Sequence, residues 1–246
     1  MFGAPDNHPD LESVRSFVAS RLGFAQEPVC RSDLSGGVLY QECLARLRWG
    51  ERDVLPPAAF LPRLEVLGLM RWFDRLVVSR TIDRLRADPT AVFGCNVAAA
   101  SAVVDDAWLA IFRRLELEPS VAARLVVEIT ETGPLNPVAG RSFVNRLRQA
   151  GSRIAIDDFG VGFSALNNLV VGNPDIVKLD RSILSMIKRN AIGRYQFRRL
   201  IAFAHEGARH VVAEGVESEM DRQIIMDAGV MWAQGIRFSW RSPAAA

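Results

Sequence analysis

Acidic and amide side chains recur at one kind of place in this sequence. Val92–Asn96, Leu125–Glu128, Ile154–Asp158, Ile176–Asp180 and Val211–Glu214 are short β-branched runs that each end in an acid or an amide. Taken with Glu42 and Gln234, the residues at these ends are Glu42, Asn96, Glu128, Asp157, Asp158, Lys178, Glu214 and Gln234. Burying carboxylates without compensation costs several kcal/mol per ion, roughly. Divalent cations are the natural compensation. Every candidate except Lys178 offers oxygen, and His8, His205 and His210 fall outside the set. All-oxygen sites suit Mg²⁺, Mn²⁺ or Ca²⁺ rather than Zn²⁺. Adjacent Asp157 and Asp158 suit two ions ~3.5–4 Å apart, an arrangement used for phosphodiester cleavage. Neighbours on a strand point to opposite faces, so both aspartates share a site only where the strand ends. Phe159-Gly160-Val161-Gly162 follows at once, and its glycines permit that bend.

The elements that position these residues alternate. Between the β-branched runs lie amphipathic stretches: Ala59–Leu85, Ala102–Leu115, one around Phe143, Val144 and Leu147, Arg194–Gly207 and Glu217–Ala228. Short apolar runs separated by helices predict a parallel sheet covered by helices. Catalytic side chains of a closed βα barrel stand at the carboxyl ends of its strands, where the acids are. The opening differs. Glu27–Arg31 and Val38–Arg46 flank Ser35-Gly36-Gly37 and predict a β-hairpin, so the expected fold is an α/β, TIM-like (β/α)8 barrel with an antiparallel first strand. A short helix over Leu11–Leu22 makes residues 1–24 a helical lead-in, with residues 25–246 as the barrel domain.

Composition narrows the class. The chain has 246 residues, 49% hydrophobic and 24% charged, enough to bury a core without disulfides or a structural metal. Its 30 basic and 28 acidic residues are interspersed, giving a net charge of +2 and no support for DNA or RNA duplex binding. Cys30, Cys43 and Cys95 form no C-x-x-C pair and fit a reducing compartment. If Glu42 and Asn96 face the barrel mouth, Cys43 and Cys95 point away as core fillers. There is no signal-peptide pattern and no uncharged stretch long enough to span a bilayer, so a cytoplasmic protein without membrane attachment is expected.

Asp157-Asp158-Phe159-Gly160-Val161-Gly162-Phe163-Ser164 resembles the DDFGTGYS loop of EAL-domain cyclic di-GMP phosphodiesterases. VVEITET at Val126–Thr132, VKLDRSIL at Val177–Leu184, VVAEGVES at Val211–Ser218 and AQGIRFS at Ala233–Ser239 resemble further stretches of that family in the right order. The signature itself reads Glu42-Cys43-Leu44-Ala45-Arg46. The resemblance implies hydrolysis of cyclic di-GMP to linear pGpG with two Mg²⁺ or Mn²⁺ ions and inhibition by Ca²⁺. It implies one metal on Glu42, Asn96, Glu128 and Asp157, with Asp157 bridging to a second on Asp158 and Glu214. Lys178 would orient or deprotonate the attacking water, supported by Gln234. Arg46 would contact a substrate phosphate, Leu44 a guanine, and Glu217 the substrate side of the site. Glu131 would steady the loop of Asp158, Gly160, Val161 and Phe163, coupling the site to a homodimer interface. Val161 stands where the family has Thr, and Glu27 where it has Gln. A degenerate member acting as a cyclic di-GMP receptor or protein-interaction module is the alternative that the resemblance implies.

Overall fold

The computed structural model describes residues 10–50, 53–130, 133–187 and 191–238. Helix α1 (Leu11–Arg21) is capped by the Asp10 side chain, which accepts from the backbone N–H of Glu12 and Ser13. It leads into strand β1 (Leu22–Arg31), which pairs antiparallel with β2 (Val38–Trp49) from Leu22 opposite Leu47 to Val29 opposite Tyr40. β1 therefore begins five residues before the Glu27 expected from its apolar pattern. A short edge strand, β3 (Asp53–Leu55), pairs with β2. The amphipathic stretch over Ala59–Leu85 forms two helices, α2 (Pro57–Val66) and α3 (Met70–Ala87). Gly68 breaks them at φ +67°, a left-handed backbone that glycine adopts at no steric cost.

The alternation then runs as expected. Strand β4 (Phe93–Ala98) is followed by a 3₁₀ turn over Ala99–Ser101, α4 (Asp106–Leu117) and α5 (Pro119–Ala122). Next come β5 (Leu125–Thr130), α6 (Ala139–Ala150), β6 (Arg153–Phe159), α7 (Ser164–Val171) and β7 (Ile176–Leu179). The chain continues through α8 (Arg181–Ile187), α9 (Ala191–Gly207), β8 (His210–Ala213), α10 (Glu219–Asp227) and β9 (Trp232–Ala233). The sheet order is β1-β9-β8-β7-β6-β5-β4-β2-β3, and the β1–β2 pairing closes eight of the strands into a barrel. β1 is antiparallel to both neighbours, whereas the remaining barrel contacts are parallel.

Two apolar regions hold the barrel. The larger packs helix faces on the outside of the strands and includes Trp108, Phe112 and Phe143 at edge and stacked ring contacts. It also takes in Cys43 and Cys95, both buried, as the strand alternation predicts. The smaller lies inside the barrel and consists of Val29, Tyr40, Val126, Ala155, Ile176 and Val212. Side chains alternate along a strand, so the inward residue two positions later belongs to the next layer up. From Tyr40, Val126, Ala155, Ile176 and Val212 those residues are Glu42, Glu128, Asp157, Lys178 and Glu214. The apolar layer is the floor on which the ionisable residues stand. No helix of the described residues is long and apolar enough to cross a membrane.

Candidate active site

Lys178 sits at the centre of this upper layer with 1% of its surface exposed. Its Nζ lies 2.6 Å from Glu128 Oε2, 2.7 Å from Glu214 Oε1, 3.0 Å from Glu42 Oε2 and 3.1 Å from Asp157 Oδ1. β2, β5, β6, β7 and the end of β8 each supply one member of this group. Asn96 on β4 donates through Nδ2 to Glu42 Oε1 at 2.6 Å, and Gln234, just past β9, donates through Nε2 to Glu42 Oε2 at 2.7 Å.

Asp158 joins the cluster by a bend at its own backbone. Its φ is +53°, and the β6–β7 register slips between Ile156 and Phe159. The glycines that follow continue the turn, with Gly160 at φ +102° and Gly162 at +51°. The expected bend is present, but a non-glycine residue begins it. Single carboxylate oxygens of Asp157, Asp158 and Glu214 lie within 4.8 Å of one another, close enough to share one ion.

Charge explains the proton affinities. Burial works against the Lys178 ammonium, but the four carboxylates outweigh it and hold its pKa well above normal. Burial also drives Glu128 well up, reinforced by Glu42. Glu214 is pushed up to about 8, again mainly by burial. Glu42 is equally enclosed, yet Lys178, Gln234 and Asn96 bring it below its ordinary value. Five carboxyl groups against one ammonium leave four formal negative charges when all are ionised, the charge that two divalent cations would balance.

The donor set fits such ions on its own chemistry. Glu128 Oε1 and Asn96 Oδ1 are buried with no hydrogen-bond partner, as is Gln234 Oε1. An unpaired polar atom in a low-dielectric site is costly unless a cation or donor meets it. Hard oxygens in this number suit Mg²⁺ or Mn²⁺. Glu42, Asn96, Glu128 and Asp157 would hold one ion, and Asp157, Asp158 and Glu214 the other.

A cavity of about 680 Å³ opens over the cluster. Its acidic wall includes Glu27, Asp158, Asp180 and Glu217, and its apolar wall Leu44, Leu61, Met70 and Phe73. Leu44 and Glu217 both line this cavity. Arg46 is not among the lining residues; its guanidinium donates to the carbonyl of Ala45 at 2.9 Å on its own strand. Val161 and Phe163 lie on the β6–α7 turn away from the lining, with Phe163 47% exposed. Gly160 packs against Ile183, into which a Cβ would run at 2.3 Å. Glu131 lies outside the described residues.

Several lining residues escaped the sequence reading. Asp180 is the acid that closes the Ile176–Asp180 run and so carries the same strand-end signal as the ligand candidates, whereas Arg181, the cation after it, carries none. Asp74 offers no such signal, because it is buried within helix α3; it accepts from the backbone N–H of Ala98 at 3.1 Å. Gly94 also passed unnoticed. A Cβ there would stand 2.4 Å from Glu128 Oε1 and 2.5 Å from the Tyr40 ring, so glycine leaves room for both.

Comparison with known proteins agrees with this geometry. A model of the EAL domain family matches residues 12–240. An uncharacterized protein of Mycobacterium tuberculosis is 29% identical over 235 residues, covering 93% of this chain and 37% of that protein. The cyclic di-GMP phosphodiesterase RocR of Pseudomonas aeruginosa is 30% identical over 216 residues, covering 85% of this chain and 54% of RocR. The chain therefore spans about a third to a half of the length of these relatives. Among solved structures, an EAL domain protein from Listeria monocytogenes superposes with a TM-score of 0.80 at 20% identity, covering 94% of this chain and 93% of that one. The likeness to that structure is one of fold.

Proposed function

The chain belongs to the EAL domain family, and from that premise we propose that it hydrolyses cyclic di-GMP to linear pGpG with two bound Mg²⁺ or Mn²⁺ ions. The observation that carries this reading is the meeting of Glu42, Asn96, Glu128, Asp157, Asp158 and Glu214 around Lys178 beneath one cavity. The names of relatives such as RocR supply the substrate. When bound, the cations would neutralise the phosphodiester and acidify the attacking water.

The chain's own groups do the rest. Lys178, held as an ammonium by its neighbours, orients the attacking water and favours the deprotonated form beside it. Gln234 presents an oxygen acceptor from the cavity wall. Leu44 and the apolar wall shield a base, and Glu217 meets the substrate at the rim. Arg46 reaches a phosphate once its guanidinium leaves the Ala45 carbonyl. The same carboxylate oxygens of Asp157, Asp158 and Glu214 would also accept Ca²⁺, which would inhibit by competing for them.

The boundary expected at residue 24/25 moves to the junction of α1 and β1: among the described residues the lead-in is α1 (Leu11–Arg21), and the barrel begins with β1 at Leu22. The exposed stripe of Phe163, Leu166 and Leu169 along α7 supports a homodimer joined near the β6–α7 loop. In that reading Gly160 and Val161 transmit the partner's contact to Asp158. The protein acts in the cytoplasm.

A titration of metal-free protein with Mn²⁺ tests the site. Two equivalents in the unaltered chain and loss of both in Asp157→Asn are expected. Unaltered Mn²⁺ binding by that variant would refute the bridging assignment. Cyclic di-GMP binding without hydrolysis at saturating Mn²⁺ would favour the receptor alternative.

A further inference from the structure

Arg181 is a cation at this cavity that the proposed chemistry leaves unused. Among the described residues that line the cavity, the cations are Lys178 and Arg181. Lys178 is enclosed by its four carboxylates. Arg181 is exposed and makes no ion pair among the described residues, although Asp158, Asp180 and Glu217 line the same cavity. Its backbone is fixed from two sides. Asp180 accepts from the Ser182 backbone N–H at 2.9 Å and from the Ser182 hydroxyl, which closes the turn from β7 into α8 at Arg181. Gly215, next to Glu214, has φ +66° and packs against the arginine: a Cβ there would lie 3.3 Å from Arg181 Cα and closer still to its Cβ. Two residues on, the Glu217 backbone N–H donates to the buried Asp221 at 3.1 Å. Arg181 and Glu217 therefore rise from anchored backbones on one rim, a fork of donors near an acceptor.

The far side of the cavity is different in kind. In the closed ring of eight strands β7 stands four places from β2, so Arg181 faces the wall that carries Leu44. An apolar wall covers the face of a base, and a charged rim meets its edge. Phosphate and base make opposite demands on that rim. A phosphate offers acceptors alone, and Asp158, Asp180 and Glu217 repel it. A guanine is uncharged and offers both kinds of group. Its N1–H and N2–H₂ donate, as the Glu217 carboxylate requires, and its O6 and N7 lie side by side, as a guanidinium requires. We propose that Arg181 is a specificity-determining residue that donates to O6 and N7 of one guanine of the substrate. Adenine carries an N–H₂ in place of O6 and would set donors against donors. The proposal rests on the phosphodiesterase reading, which supplies the guanine.

A pair of substrates isolates this contact. Cyclic di-GMP and its analogue with 7-deazaguanine at both bases share ring, charge and shape and differ at the N7 acceptor. With Mn²⁺, the unaltered chain should show a KM roughly tenfold higher for the analogue, the scale of one hydrogen bond to a charged group. In Arg181→Met the KM for cyclic di-GMP should rise by at least that factor, and the two KM values should agree within about twofold. The kcat for cyclic di-GMP should stay within about threefold. If the chain binds without cleaving, dissociation constants from calorimetry give the same ratios. A merely structural role, or a contact to phosphate, would raise both values together and leave their ratio as it was; that result would overturn the proposal. Equal values for the two substrates in the unaltered chain would overturn it as well. Failure of the unaltered chain to bind or cleave either substrate is a different result: it would refute the phosphodiesterase reading and, with it, the guanine that this contact needs.

Discussion

Adding one methyl group at Gly94 tests how tightly the cluster is built. An ideal Cβ at that position lies 2.4 Å from Glu128 Oε1 and 2.5 and 2.7 Å from Cε2 and Cδ2 of Tyr40, where ordinary contact begins near 3.4 Å. One neighbour has to retreat by about 1 Å to restore normal packing distances. Tyr40 is 1% exposed and wedged among Val29, Val126, Ala155, Ile176 and Val212, so its ring has nowhere to go. The carboxylate of Glu128, with a cavity above it, is the part that moves. Overpacking of this kind costs about 1–3 kcal/mol, or roughly 2–12 °C in melting temperature for a chain of this size. The functional cost is larger, because a ~1 Å misplacement at a reacting centre is worth on the order of 10²-fold. The assay is Mn²⁺ affinity, turnover and melting temperature of Gly94→Ala side by side. Adding Tyr40→Leu removes two of the three close contacts and should recover stability without recovering turnover, since the Glu128 contact remains. Gly94→Ala with normal Mn²⁺ affinity and normal turnover would refute the reasoning.

Three further perturbations follow from the same charges. Lys178→Met leaves Glu42, Glu128, Asp157 and Glu214 facing one another, and removing one side of a buried ion pair costs about 3–5 kcal/mol. The metal-free variant should melt well below the parent and regain most of the deficit with saturating Mn²⁺; an equal deficit with and without metal would contradict this. For the parent protein, metal at about 100 times its dissociation constant should add about 2.7 kcal/mol per site, and a chelator should remove it. Burial raises the Asp74 carboxyl from 3.8 to about 6, so the folded state binds that proton more tightly than the unfolded chain. Its stabilising effect is full below pH about 4 and is lost as pH rises through about 6, roughly 3 kcal/mol in all. In Asp74→Asn the change in stability between those limits should shrink by about that amount, measured by denaturant titration; an unchanged profile would contradict the assignment.

Much of the barrel is legible because its signals are local. Runs such as Leu125–Glu128 and Val211–Glu214 bury both faces and end in an acid, and the helix that ends at Gly207 shows its apolar face directly. The antiparallel entry is legible from Ser35-Gly36-Gly37 between two strand-like runs, since that turn cannot host a crossover helix. β9 is not, because two residues, Trp232 and Ala233, give no periodicity and are held by pairing with β1 and β8. The ligand candidates can be found because strand alternation brings every second residue to the mouth. What alternation cannot show is rotamer and approach. It places Arg46 on the inward face with Glu42 and Leu44 but does not show its guanidinium folding back on Ala45. Nor does it show the hydrogen bond of Gln234 to Glu42, residues 192 positions apart whose meeting depends on barrel closure.

The central claim is that this cluster cleaves a cyclic dinucleotide when loaded with metal. Its most direct test is incubation of the purified chain with cyclic di-GMP and Mn²⁺, followed by chromatography of the nucleotides, with a chelator in a parallel sample. The account predicts linear pGpG that accumulates with Mn²⁺ or Mg²⁺ and is absent with the chelator. Intact cyclic di-GMP after prolonged incubation with saturating metal, or cleavage undiminished by the chelator, would contradict it.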